Sequence, residues 1–266
     1  MRTVSVIGCG ALATVFMDNL PRVLVNKVSL KGIYSRTYED VVAAADKYHA
    51  SAYRTLEELI EERPDYVVEF AGGEAVRSYA KQILQAGINL ICISVGAYAD
   101  EEFFASLEKT AQASGARLFV PNGAIGGLDA LQVYALMGNA QLTIENVKAP
   151  KSLEGAPYLG TRALSREARE VVFDGNVKEA IKGFPKNVNV AVAASVATEK
   201  MDANVVIISD PATKENSHTI RVKNASMRAE LSFYSTPNPA NPKSSSSAAW
   251  SVLALLKNLT STVSYF

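Results

Sequence analysis

Two stretches of this chain combine residue types suited to redox chemistry. The first is Gly8-Cys9-Gly10-Ala11-Leu12-Ala13, a G-x-G-x-x-A run. It follows the apolar segment Val4-Ser5-Val6-Ile7, which reads as a strand, and precedes a helical pattern from Ala13 to Leu20. In that context Gly8 permits a tight turn and Gly10 lets a pyrophosphate approach the backbone. The N–H groups of Ala11 and Leu12, at the helix start, are free to bind it. The second stretch contains His218. Redox chemistry at a dinucleotide needs a group that moves protons near neutral pH, and a histidine of ordinary pKa, about 6.5, suits that task. The chain has two histidines. His49, in Lys47-Tyr48-His49, reads as a solvated residue after a helix, whereas His218 lies between polar residues and a strand.

The end of the second strand bears on which dinucleotide binds. An NAD site usually has a carboxylate there for the ribose hydroxyls. Here the run is Ile33-Tyr34-Ser35-Arg36-Thr37, with no carboxylate before Glu39. A hydroxyl from Ser35 and a guanidinium from Arg36 suit a 2′-phosphate. NADP is therefore the expected cofactor, with NAD as the alternative.

The elements that position these residues follow from the hydrophobic periodicity. Strand-like runs at 28–34, 65–70, 89–94 and 117–120 alternate with helical patterns at 38–48, 75–86 and 100–114. Thr55 to Glu58 has a capping-box pattern. Apolar strands separated by helices predict a parallel sheet covered on both faces. The fold class expected is α/β: an N-terminal Rossmann dinucleotide-binding domain over 1–121, to which a C-terminal helix within 243–266 returns. The segment 122–242 changes character. It opens with the glycine-rich turn Gly123 to Gly127 and a helix from Leu128 to Met137, then carries more alternating runs at 141–148, 205–209, 219–222 and 228–234. Helical patterns at 176–183 and 189–198 intervene. This predicts a C-terminal α+β domain with a mixed or antiparallel sheet, expected to supply the substrate groups and the contacts of a homodimer or homotetramer. The glycine-rich turn directly follows the last dinucleotide-domain strand, where a nicotinamide is expected.

Composition narrows the classes. The chain of 266 residues is 48% hydrophobic and formally neutral, with 27 basic and 27 acidic residues. No basic stripe marks a nucleic-acid partner. Apolar stretches such as Val188 to Ala197 are too short to span a bilayer, and Met1-Arg2-Thr3 runs straight into a strand, so no membrane association or signal peptide is expected. Cys9 and Cys92 form no metal-ligand spacing. The expectation is a soluble, cytoplasmic, metal-free protein.

Several segments of the second half are distinctive together. They are Gly123-Ala124-Ile125-Gly126-Gly127-Leu128-Asp129, Lys148-Ala149-Pro150-Lys151-Ser152-Leu153, Phe184-Pro185-Lys186-Asn187-Val188-Asn189-Val190-Ala191, Asp210-Pro211 with Asn216-Ser217-His218, and Asn241-Pro242-Lys243-Ser244-Ser245. With Ser94 to Asp100 in the first half, they resemble the L-aspartate dehydrogenase family, in order and over nearly the whole chain. Asn122 departs from it, since many members carry Ser there. The resemblance implies a two-domain plan like that of dihydrodipicolinate reductase. It also implies NAD(P)-dependent oxidative deamination of L-aspartate to oxaloacetate and ammonia through iminoaspartate, a product that can feed NAD biosynthesis. It matches His218 to the catalytic histidine, and Ala124 and Asn189 to positions that contact the cofactor in the nicotinamide region. The two substrate carboxylates call for cations or N–H donors; Lys151, Lys243 and Ser244 are the candidates, with Lys186 and Ser245 behind them. Two other readings stay open: a reductase of a related imine or semialdehyde, like dihydrodipicolinate reductase or homoserine dehydrogenase, and a non-catalytic NADP-binding protein. Against dihydrodipicolinate reductase, no second histidine adjoins His218.

Overall fold

The computed structural model describes residues 1–185, 188–236 and 245–265, which form two compact units. The first comprises Met1–Gly123 with Ser246–Phe266, the second Ala124–Ser245. The first divide, expected after residue 121, falls after Gly123.

In the first unit β1 (Arg2–Ile7), α1 (Ala11–Val23), β2 (Val28–Tyr34), α2 (Tyr38–Tyr48), β3 (Ser51–Tyr53), α3 (Leu56–Glu61), β4 (Tyr66–Glu69), α4 (Gly73–Gln85), β5 (Asn89–Cys92), α5 (Glu101–Ser114) and β6 (Leu118–Phe119) follow one another. A 3₁₀ turn, Val95–Ala99, precedes α5. All the strand pairs are parallel, in the order β3-β2-β1-β4-β5-β6. The order reverses between β1 and β4, so the carboxyl ends of those two strands flank the crevice where an open α/β sheet binds its ligand. The spacing ends the first helix at Leu20, before Pro21, yet α1 runs on to Val23. The missing proline N–H falls in its last turn, and fully buried Leu24 anchors the exit.

The second unit contains α6 (Leu128–Leu136), β7 (Gln141–Lys148), α7 (Pro150–Leu153), β8 (Glu170–Asn176), α8 (Val177–Gly183), α9 (Asn189–Thr198), β9 (Asn204–Ser209), β10 (Asn216–Lys223) and β11 (Arg228–Ser235). Its sheet is mixed, in the order β11-β10-β7-β9-β8, with β7 and β9 parallel and the remaining pairs antiparallel. Along β7 the side chains of Leu142, Ile144, Asn146 and Lys148 are buried, while their alternates are more exposed. Gly127 opens α6 at φ 78°, and a Cβ there would lie 2.9 Å from Leu231 of β11, so the turn into α6 demands glycine.

The last helix, α10 (Ser247–Leu259), belongs to the first unit. Ala249, Val252, Leu253 and Leu256 join Phe16, Met17 and Leu20 of α1 in one core. Ser246 stands at its N-cap position, where its side chain makes no capping bond.

Candidate functional sites

In the first unit, the turn from β1 into α1 is shaped for an anion. Gly8 adopts φ 108°, and a Cβ there would come within 3.0 Å of the Phe70 backbone. Only glycine lets β1 and the β4–α4 loop approach so closely. Gly10, the N-cap of α1, is exposed, a Cβ on it would meet nothing within 4 Å, and the first turn has neither a side-chain cap nor an acidic residue. The N–H groups of Ala11 and Leu12 are thus left to a ligand, and the helix dipole favours a phosphate there. At the end of β2, Ser35 lies near the Cys9 thiol, whose pKa burial raises, while Arg36 is exposed and forms no ion pair among the described residues.

Glu69 carries a feature the sequence reading passed over. It is the last residue of β4 and only 2% exposed. Its Oε1 accepts from the backbone N–H groups of Ala71 and Gly72, both at 2.6 Å, and from Ser94 Oγ at 2.9 Å. Its Oε2 accepts from Ser94 N at 3.1 Å and Cys92 Sγ at 3.3 Å. Burial pushes the carboxyl pKa up, and these donors pull it back. The result fastens the loops after β4 and β5 to one side chain, both of them at the carboxyl end of the sheet. A glutamate ending a run of buried strand residues, Tyr-Val-Val-Glu, was the available signal.

In the second unit His218 is 5% exposed and sits on β10 opposite Asn146 of β7. Its Nδ1 lies 2.6 Å from Asn146 Oδ1. An amide oxygen only accepts, so Nδ1 donates and Nε2 carries the lone pair. The imidazole pKa is lowered to about 3, first by burial and then by the charge of Lys148. Lys148 is 3% exposed at the end of β7, its own pKa is lowered to about 8 by burial, and its ammonium has no acceptor among the described residues. The unit therefore brings His218, Asn146 and Lys148 together.

Lys151, expected at the substrate, is instead exposed in α7, beyond the strand. Asn189 is the exposed first residue of α9, and Ala124 is half-buried in the glycine-rich turn. Lys186, Lys243 and Ser244 lie outside the described residues. Sequence reasoning missed Lys148 and Asn146, although the phase of β7 marks them: they continue Leu142 and Ile144, so a lysine and an asparagine fall where apolar side chains belong. No cluster of histidine, cysteine and carboxylate side chains able to hold a metal occurs among the described residues, and no described helix is long and apolar enough to cross a membrane.

Comparison with known proteins matches both halves. A family profile described as "Aspartate dehydrogenase, C-terminal" covers residues 129–259, and one described as "Homoserine dehydrogenase, NAD binding domain" covers residues 8–121. The L-aspartate dehydrogenase of Methanocaldococcus jannaschii is 31% identical over 260 residues, 97% of either chain. That of Methanococcus maripaludis strain C6 is 34% identical over 264 residues, 99% of this chain and 98% of the relative. The crystal structure of aspartate dehydrogenase from Thermotoga maritima superposes with a TM-score of 0.79 at 30% identity, over 100% of both chains.

Proposed function

Because this chain belongs to the L-aspartate dehydrogenase family, we propose that it catalyses the NAD(P)-dependent oxidative deamination of L-aspartate. In that reaction L-aspartate, water and the oxidised cofactor give oxaloacetate, ammonia, the reduced cofactor and a proton. The observation that carries the reading is the buried pair of His218 and Asn146 in the second unit. It offers a single imidazole lone pair, at Nε2, in a site from which water is largely excluded.

The first unit fits a dinucleotide. Gly8 and Gly10 open the turn, and Ala11 and Leu12 offer N–H groups to the pyrophosphate. Ser35 and Arg36 would take a 2′-phosphate, which favours NADP over NAD, and Ala124 and Asn189 are assigned to the nicotinamide region by resemblance. When bound, the nicotinamide supplies the carbon that accepts a hydride from the substrate Cα. His218 Nε2 takes a proton, from the substrate ammonium or from the water that adds to the imine. Asn146 holds the ring in the tautomer that can do so. A carboxylic substrate in a dry site needs a buried cation more than an exposed one, since solvent screens the latter.

The open face of the second unit's sheet supports assembly with a second copy, as a homodimer or homotetramer. It mixes Val147, Val206 and the 67% exposed Tyr234 with the linked charges of Glu145, Arg221 and Glu230.

The test is absorbance at 340 nm with L-aspartate and either cofactor, and with oxaloacetate plus ammonia in reverse. Turnover is expected in both directions. Arg36→Asp is expected to raise KM for NADP by about 10- to 100-fold, the worth of one charge-assisted phosphate contact, and to leave KM for NAD nearly unchanged. No turnover in either direction would discard the activity, and equal effects on both cofactors would discard the preference.

A further inference from the structure

The ammonium of Lys148 is buried with no ion pair or hydrogen bond among the described residues of its unit. It is 3% exposed, and no described residue offers it an acceptor. A lone buried cation is costly, and proteins keep one where a ligand completes it.

Its surroundings share that incompleteness. Lys148 is paired in register with Ser209 of β9, whose buried hydroxyl has no partner. On β10, Ser217 faces Val147 and His218 faces Asn146, so Asn216 stands level with Lys148. Asn216 in turn pairs with Ser235 of β11, whose buried hydroxyl is also unpaired. One row of the sheet thus reads Ser235, Asn216, Lys148, Ser209 across four strands. The next row places His218 beside Asn146, whose Nδ2 donor is buried without a partner. The row beyond is apolar, with Leu231, Ile220, Ile144 and Val205. A cation with the unpaired Ser209 hydroxyl on the neighbouring strand and the unpaired Asn146 amide on its own strand, set above an apolar floor and next to the imidazole, forms a half-built anion site.

We propose that Lys148 receives a carboxylate of the dicarboxylic amino-acid substrate, with the Ser209 hydroxyl on the neighbouring strand and the Asn146 amide on its own strand as the additional donors. The proposal rests on the aspartate reading above and adds to it the residue that recognises the substrate's charge. It has a chemical consequence. Lys148 is one of the two causes that hold the His218 pKa down. A carboxylate seated on the ammonium cancels that charge, so substrate binding strengthens the base beside it. Lys148 binds substrate and, through its field, sets the readiness of His218.

The experiment compares the wild-type enzyme, Lys148→Met and Lys148→Arg, all saturated with NADP. Lys148→Met is expected to raise KM for L-aspartate by about 30- to 100-fold, as expected for a lost charge-assisted bond, and Lys148→Arg to recover part of it. The acid limb of kcat/KM should move to higher pH in Lys148→Met, because His218 no longer faces the ammonium. The melting temperature should rise, because a desolvated charge is gone; a lysine kept only for packing would shift neither the pH limb nor the KM in this way. Calorimetry with succinate, which has no amine to oxidise, reads the same contact without turnover. Succinate binding that weakens at least tenfold in Lys148→Met supports the site even if L-aspartate is not oxidised, in which case only the activity assignment falls. Turnover of L-aspartate with KM and succinate affinity unchanged in Lys148→Met would overturn the role of Lys148 and leave the activity standing.

Discussion

His218 offers one nitrogen to chemistry because Asn146 takes the other. Nδ1 donates to the amide oxygen at 2.6 Å, which fixes the tautomer and the plane of the ring. Burial leaves the imidazole neutral in the absence of substrate, with its pKa lowered to about 3. A neutral ring is the form a base needs at the start of the reaction. The corresponding prediction is that His218→Ala lowers kcat for L-aspartate by about 10²- to 10⁴-fold, the usual worth of a general base. Cofactor binding, followed by quenching of protein fluorescence, should change by less than about twofold, since the glycine turn and Arg36 are untouched. Activity retained in His218→Ala would place the base elsewhere. His218 stood out in the sequence because the chain has two histidines, one of them bordering a strand, and because the motifs around it resemble those of the family. Its orienting partner did not. Asn146 lies 72 residues away, and only strand pairing between β7 and β10 brings the two together. Lys148 was passed over for the same reason: in the sequence it is one of several lysines, and only the inward phase of β7 sets it apart from exposed Lys151.

At the scale of elements, the parallel sheet, the crossover helices and the return of the last helix were all readable from periodicity. The patterns over 28–34, 38–48, 141–148 and 189–198 coincide with β2, α2, β7 and α9 to the residue. Two strands escaped. β3 has three residues, too few for a period, and β8 contains Asp174-Gly175 and a register shift between Val171 and Phe173 that breaks its alternation. The capping box expected at Thr55 is only half formed. Thr55 Oγ1 accepts from Glu58 N, but the Glu58 carboxylate turns to Arg54 N, whereas a complete box occurs at Asn176 and Glu179. The packed face of α10 is Ala249, Val252, Leu253 and Leu256, with Trp250 40% exposed under Arg22. Because that face seals α1, the helix proposed above to present its N-terminus to the dinucleotide, α10 bears on stability and, on that proposal, on cofactor affinity. Leu253→Ala is expected to cost about 2–5 kcal/mol by leaving a cavity, read as a lower urea midpoint. NADP affinity should fall with it. An unchanged midpoint would mean that α10 is not part of the core of the first unit.

For the whole molecule, a buried imidazole and a buried ammonium, both with lowered pKa, make stability depend on pH. The folded-state pKa of His218 is about 3, below its unfolded value of 6.5. Between those values the unfolded chain takes up a proton that the folded chain refuses, so the stability His218 contributes is full above about pH 6.5 and is lost as pH falls toward 3. Lys148, lowered from 10.5 to about 8, acts in the same sense over pH 10.5 to 8. Glu69 acts in the opposite sense, because its carboxyl pKa is raised: its contribution is full at low pH and is lost as pH rises through the folded value. The acid limb of the total stability therefore sets His218, together with Asp18, Asp65, Asp100 and Glu170, whose pKa values are lowered, against Glu69, and a single curve does not separate them. Comparison with His218→Asn does, since the amide does not titrate and Glu69 remains in place. The gap in unfolding free energy, variant minus wild type, should be constant above about pH 7. It should then grow in favour of the variant toward pH 4, with a slope approaching about 1.4 kcal/mol per pH unit, the limit for one proton. Chemical denaturation at half-unit steps of pH measures it. A gap independent of pH across that window would show that His218 takes up its proton as readily in the folded chain as in the unfolded one. The imidazole would then be no drier than a surface histidine, and the depressed basicity on which the coupling to Lys148 depends would be absent.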